Sequence, residues 1–239
     1  MQSLIIQKII YTNSLSITDI FIKQGRIYTF LNPVSYLYAL DNKKLFGKFD
    51  GIFVDGSILV SAIRLLYRKK VHRRSFDMTS LAPELFAYAE KKGKSIYLIA
   101  SKQIQIKKAM NVFCQSYPNL NFVGYRNGFF SSTKEMEEEV KHICNLAPDF
   151  LIVGMGVLTQ EKFLLKVKDA GFKGIGITCG GFIHQTAENE VCYYPIWIDR
   201  MNLRFLYRIY KEPHTRMRYL KAGLIFPARF IYERFFGNR

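Results

Sequence analysis

Ser95-Ile96-Tyr97-Leu98-Ile99-Ala100 sets five apolar residues in a row, without the polar alternation of a strand that has one face in water. Such a run suits a strand covered on both faces, which is the situation of a parallel sheet flanked by helices. Its neighbours agree. Helical patterns precede it at Leu81–Lys92 and follow it at Gln105–Ser116, and Gly93 after Lys91-Lys92 is a helix stop with cations in the last turn. Outward from there the alternation repeats. Further strands are expected at Ser3–Ile10, Gly25–Phe30, Gly51–Val54, Asn121–Gly124, Phe150–Gly154 and Gly174–Thr178. Further helices are expected at Pro33–Leu40, Ser57–Arg68, Lys134–Asn145 and Gln160–Ala170. Asn32-Pro33 joins an N-cap acceptor to a ring that needs no N–H in the first turn, and Thr133 precedes acids suited to a helix N-terminus. Alternating β and α predict an α/β fold: a Rossmann-like, mostly parallel sheet with helices on both faces.

The 239 residues suffice for one such domain and a modest appendage, and 49% hydrophobic against 23% charged residues exclude a disordered chain. The longest apolar runs, such as Ser57–Tyr67 with Arg64 inside it, fall short of the roughly 20 residues that span a bilayer. Gln7, Lys8 and Thr12–Ser14 interrupt the early apolar stretch, so no signal peptide is expected and the chain reads as cytoplasmic. Cys114, Cys144, Cys179 and Cys192 form no CxxC pair and the histidines are scattered, which predicts reduced thiols and no structural metal.

The formal net charge is +16, and from Arg200 to Arg239 ten lysines and arginines face only Glu212 and Glu233. Such a balance calls for an anionic partner. In this stretch Arg200, Arg204 and Arg208 recur every four residues, and Arg216, Arg218 and Lys221 follow among Tyr219, Phe226, Phe230, Tyr232 and Phe235. It reads either as an interfacial segment on anionic lipid or as a helix docked on the core. The expected division is a core over residues 1–195 and a basic, aromatic, membrane-associating appendage over residues 196–239.

Ligands of open parallel sheets bind beyond the carboxyl ends of the strands, so the chemistry is sought there. One strand ends in Asp55-Gly56-Ser57, where the carboxylate is a candidate general base, although Asp-Gly is also a common turn. Another ends in Gly154-Met155-Gly156 and leads into Thr159-Gln160-Glu161, a glycine corner before a helix that suits a diphosphate. Gly180-Gly181-Phe182 is a second such corner, and His72-Arg73-Arg74-Ser75-Phe76-Asp77 sets two arginines beside a carboxylate. A dinucleotide fingerprint would need a third glycine, which is absent, and this argues against a nicotinamide-dependent oxidoreductase.

Taken in order, these motifs resemble the WecG/TagA/CpsF family of bacterial glycosyltransferases over roughly residues 25 to 220. The resemblance rests on Phe30-Leu31-Asn32-Pro33, Asp55-Gly56-Ser57 through Ala62-Ile63-Arg64-Leu65-Leu66, and Tyr117-Pro118-Asn119-Leu120 leading to Val123 through Phe130. It continues with Gly154 through Lys162, Gly180-Gly181-Phe182, and a tail from Leu203 through Arg208 to Glu212-Pro213 and Arg218-Tyr219-Leu220. The resemblance implies an inverting, metal-independent transferase without a cofactor. It would move a hexose or N-acetylhexosamine from a UDP-sugar to a sugar on undecaprenyl diphosphate, at the cytoplasmic face of the membrane. By the same likeness Asp55 is the base, and Asn32, Gly56, Arg73, Arg74, Gly154, Gly156, Gln160, Glu161, Gly180 and Gly181 bind the donor and its diphosphate. Arg200, Arg204, Arg208, Arg216 and Arg218 would complete the site or meet lipid, with no Asp-x-Asp metal motif in the chain. The chain departs from the family pattern at Phe30, where many relatives have Thr, at Leu158-Thr159, and at Ile183-His184-Gln185-Thr186. These positions line the presumed pocket. A basic nucleic-acid-binding protein is the other class the charge allows, although no nucleic-acid module is recognisable and nucleic acid is not the expected partner. A homo-oligomer is left open.

Overall fold

The computed structural model describes residues 3–189, 195, 197–198, 201 and 203–237. Six strands form one all-parallel sheet in the order β2-β1-β6-β5-β3-β4. The strands are β1 (Ile27–Leu31), β2 (Gly51–Val54), β3 (Ser95–Ala100), β4 (Asn121–Arg126), β5 (Phe150–Gly154) and β6 (Ile175–Thr178). Twelve α-helices are described: α1 (Leu4–Ser14), α2 (Ile17–Ile22), α3 (Pro33–Asp41), α4 (Lys43–Gly47), α5 (Ser57–Tyr67), α6 (Leu81–Lys92), α7 (Gln103–Ser116), α8 (Thr133–Leu146), α9 (Thr159–Asp169), α10 (Phe182–Asn189), α11 (Arg204–Lys211) and α12 (Arg216–Phe236). A 3-10 turn, Pro213–Thr215, joins the last two.

Strand parity decides which helices cover which face. Ile96, Leu98 and Ala100 of β3 and Phe150 and Ile152 of β5 pack with α6, α7 and α10. Tyr97, Ile99, Leu151 and Val153 point the other way, to Val140 and Ile143 of α8 and Phe163, Leu164 and Val167 of α9. On that second face, Leu31, Ile52 and Val54 meet α1, α3 and α5. β1 and β6 are neighbours, yet the helix after β1 leaves on one face and the helix after β6 on the other. Their ends part into a crevice, the usual ligand position in such sheets.

The expected strand at Ser3–Ile10 is instead part of helix α1. Ile5, Ile6, Ile9 and Thr12 are its buried face, a helical spacing that the β-branched composition concealed. α1 covers β2, which is an edge strand. The Thr12 hydroxyl accepts the Ile52 N–H at 2.8 Å and donates to the Lys8 carbonyl at 2.6 Å. Gly51 leaves the space for it, since a Cβ there would stand 2.6 Å from the Thr12 oxygen.

The C-terminal helix α12 docks on α3 and α5. Phe226 packs edge-on to Tyr36, with ring centroids 5.8 Å apart, and Phe230 lies 5.2 Å from Tyr36 and 5.7 Å from Tyr67. Lys43–Glu233 and Arg229–Asp41 bond at 2.9 and 2.7 Å at its margins. The Tyr36 and Tyr67 hydroxyls are buried with no hydrogen-bond partner among the described residues, so ring packing carries the contact. Among the described residues no helix is long and apolar enough to cross a membrane.

Phe230→Ala should cost about 3–5 kcal/mol of unfolding free energy, the usual range for emptying a buried phenylalanine site. Denaturant titration checks this, and a loss under about 1 kcal/mol would mean that α12 does not rest on the core.

Candidate active site

The carboxyl ends of the strands and the two C-terminal helices enclose a cavity of about 940 Å³. At the end of β2 the Asp55 N–H donates to the Leu31 carbonyl at 2.8 Å, which sets Asp55 beside Asn32 at the end of β1. Gly56 follows with φ +124°, a conformation side chains resist, and a Cβ there would approach Pro33 at 3.4 Å. Asn32 caps α3: its Oδ1 accepts the Ser35 N–H at 3.0 Å, and the Ser35 hydroxyl accepts the Asn32 N–H at 2.8 Å. The chain after α5 then runs back past β2, where the Arg74 N–H donates to Val54 at 2.9 Å. Successive side chains there point opposite ways. Arg73 lines the cavity, whereas Arg74 reaches the Leu15 carbonyl at 3.3 Å and lies over the Phe53 ring.

The two glycine corners lie across from Asp55. Gly154 has no room for a Cβ, which would fall 2.6 Å from the Cys179 sulfur, and Gly156 and Gly180 have φ of +82° and +56°. Gln160 and Glu161 separate in role. Gln160 lines the cavity and accepts the Gly180 N–H at 3.2 Å. Glu161 is buried behind it as an acceptor. Its Oε1 takes the Thr29 hydroxyl and the Gln160 amide, each at 2.9 Å, and its Oε2 takes the Leu158 N–H at 2.7 Å. Thr29 spends its one proton on Glu161, so the Thr178 hydroxyl, 2.9 Å away, is the donor to Thr29. Burial pushes the Glu161 carboxyl above its ordinary range, against the hydrogen bonds that pull it down. Phe30 stacks on Phe53 and forms part of the wall.

The C-terminal cations divide as well. Arg204 is buried and donates to Asp77 at 2.7 Å, to Thr79, and to Ser75 at 3.5 Å. Arg208 grips Glu212 through Nε and Nη2 at 3.0 and 3.1 Å, and its Nη2 lies 3.5 Å from where a Cβ on Gly181 would stand. Arg216 reaches back to the Ile209 and Tyr210 carbonyls at 2.9 and 3.3 Å and so caps α11. Arg218 is exposed on the cavity rim, and Arg200 lies outside the described residues. The Arg208–Glu212 tie was legible as an i,i+4 pair. Tyr219 carried no such signal, since docking of α12 brings it in.

Five arginines (Arg73, Arg204, Arg208, Arg216 and Arg218) therefore line one cavity with three carboxylates, Asp55, Asp77 and Glu212. The two aspartates are pushed apart. Desolvation, helped by the Asp77 charge, raises the Asp55 carboxyl, and Arg73, Arg204 and Arg208 pull the other way. Burial would raise Asp77 too, but Arg204 and the hydrogen bonds from Thr79 and Ser75 hold it below the usual range. Among the described residues no three His, Cys, Asp or Glu side chains converge as a metal-holding group.

A strand-end carboxylate, five arginines and two glycine corners are thus gathered around one cavity. The model of the glycosyl transferase WecG/TagA/CpsF family matches residues 10–239, and the chain belongs to that family. It is 33% identical over 207 residues to a UDP-Gal:alpha-D-GlcNAc-diphosphoundecaprenol beta-1,4-galactosyltransferase of Shigella boydii, covering 87% of this chain and 86% of the relative. It is 28% identical over 202 residues to an N-acetylglucosaminyldiphosphoundecaprenol N-acetyl-beta-D-mannosaminyltransferase of Bacillus subtilis, covering 83% and 76%. The chain is thus a glycosyltransferase with an all-parallel α/β core.

Glu161→Gln should cost about 1–3 kcal/mol in a denaturant titration, because an amide turns a donor toward one of the three donors that now meet the carboxylate. Unchanged stability would show that this network is not formed.

Proposed function

We propose that this enzyme transfers a hexose or N-acetylhexosamine from a UDP-sugar to a sugar on undecaprenyl diphosphate, with inversion at the anomeric carbon. The observation that carries this reading is Asp55, a strand-end carboxylate of raised proton affinity in a cavity lined by five arginines. The acceptor hydroxyl attacks the anomeric carbon, its proton passes to Asp55, and the bond to the diphosphate breaks with its electron pair leaving on UDP. A single in-line displacement needs one base and no covalent intermediate. A raised carboxyl is the better base provided it is ionised at the working pH.

Charge on the departing diphosphate falls to the arginines and the glycine corners. Arg204 and Arg208 are held by Asp77 and Glu212, so their guanidinium groups are ordered before any ligand enters. This supports a reaction that needs no metal ion. The relatives named above support the acceptor class, and galactose stands first in the panel of donor sugars to be tried.

The acceptor is a lipid, and the outer faces of α11 and α12 suit an anionic bilayer. Leu206, Tyr210, Tyr232, Phe235 and Phe236 are exposed there, and so are Lys211 and Lys221. In this reading the protein is peripheral at the cytoplasmic leaflet, held without a spanning helix.

Asp55→Asn should lower turnover about 10²–10⁴-fold with folding intact, read as transfer to a synthetic GlcNAc-diphospho-lipid by mass spectrometry. The wild-type rate should fall on the acid side with a midpoint above the ordinary aspartate value of about 3.9, because Asp55 must be deprotonated to act. Near-wild-type turnover in the variant would end the assignment. EDTA should leave the rate unchanged, and restoration of a chelated sample by Mg²⁺ or Mn²⁺ would overturn the arginine account.

A further inference from the structure

The cavity does not stop at its polar floor. Along α12 it is lined by Leu220, Gly223, Leu224 and Pro227, and Ile58 of α5 and Val34 of α3 also line it. The α12 positions recur at intervals of three and four, so they form one stripe on the helix. At about 1.5 Å per residue the stripe runs roughly 10 Å away from the turn that carries Arg216 and Arg218. Phe226, buried against Tyr36, fixes the helix beneath it.

These six residues offer no side-chain donor or acceptor, so this end of the cavity has little to give a sugar or a nucleotide. The trough is nevertheless open. Leu220 is 60% exposed, Leu224 75% and Ile58 43%, although all three are large apolar side chains in the wall of one cavity. At its centre a Cβ on Gly223 would meet nothing within 4 Å, so there is room directly over the helix backbone. Exposed hydrocarbon continuous with a cationic pocket fits one ligand chemistry, a flexible apolar chain carrying a diphosphate.

We propose that this trough seats the first isoprene units of the acceptor lipid, with the diphosphate at Arg216 and Arg218 and the sugar toward Asp55. The inference rests on the reading of the acceptor as a lipid diphosphate. It adds that the enzyme itself grips the chain near the headgroup, where a membrane surface alone would only concentrate it.

The test uses the full chain without membranes or detergent. Calorimetry compares farnesyl diphosphate with inorganic diphosphate for the wild type, Gly223→Phe and Leu224→Gln. Gly223 lies on a helix with φ outside the left-handed region and open space above it, so phenylalanine fills the trough without strain. The wild type should bind the prenyl diphosphate at least tenfold more tightly than inorganic diphosphate. Gly223→Phe should remove most of that preference, and Leu224→Gln part of it, with inorganic diphosphate bound as before. The inference is overturned if the wild type shows no prenyl preference, if both variants keep it, or if both probes weaken together. Transfer assays on the same proteins separate the two readings. A wild type that prefers the prenyl chain yet transfers no sugar to any GlcNAc-diphospho-lipid would leave the trough standing and end the proposed reaction.

Discussion

Where β1 meets β6 the ladder is short, pairing only Ile27 with Gly176 and Tyr28 with Ile177. Beyond these pairs the strands diverge, and a buried carboxylate holds their ends together. Glu161 accepts from Thr29 of β1, from Gln160 beside it and from the Leu158 backbone, and Thr178 of β6 joins through Thr29. A carboxylate removed from water is costly unless its lone pairs are met by donors, and here three donors meet it. The crevice needs both parts: a ladder that ends early to open it, and a polar clamp that keeps it from opening further. Through Gln160 the same clamp fixes the Gly180 corner on the far wall.

Around this crevice two aspartates are set to different tasks by their surroundings. Asp77 is satisfied by Arg204, Thr79 and Ser75 and stays ionised as a fixed post for the guanidinium. Asp55 is desolvated with its arginines less directly engaged, and its proton affinity rises. Carboxyls pushed apart in this way differ in how readily they take up a proton.

The C-terminal segment is part of the enzyme's architecture. Phe226 and Phe230 are buried in the same cluster as Tyr36 and Tyr67, and this packing delivers Arg216, Arg218 and Tyr219 to the cavity. One helix thus presents aromatic rings to the core, cations and a tyrosine to the site, and an apolar remainder to the outside. Removing the segment would strip the core cluster as well as the site, so its two roles are better separated by point substitutions.

The sequence determined the alternation of strands and helices, because uninterrupted apolar runs and capping residues such as Asn32 act locally. It also marked the strand-end motifs: Asp55-Gly56 and the Gly154 and Gly180 corners stand at the ends of parallel strands, and Gln160-Glu161 opens the helix after one of them. It misassigned Ser3–Ile10, whose isoleucines favour strands in isolation but form a helical stripe once there is an edge strand to cover. Only tertiary structure could turn Arg73 into the cavity and Arg74 out of it, since adjacent residues of an extended segment differ only in which side meets the core. The sequence likewise could not separate Gln160 in the wall from Glu161 behind it, or say that Arg204 is tied to Asp77. Those assignments depend on which groups three distant segments bring within about 3 Å, and hydrogen bonds of that range leave no periodic trace in a chain.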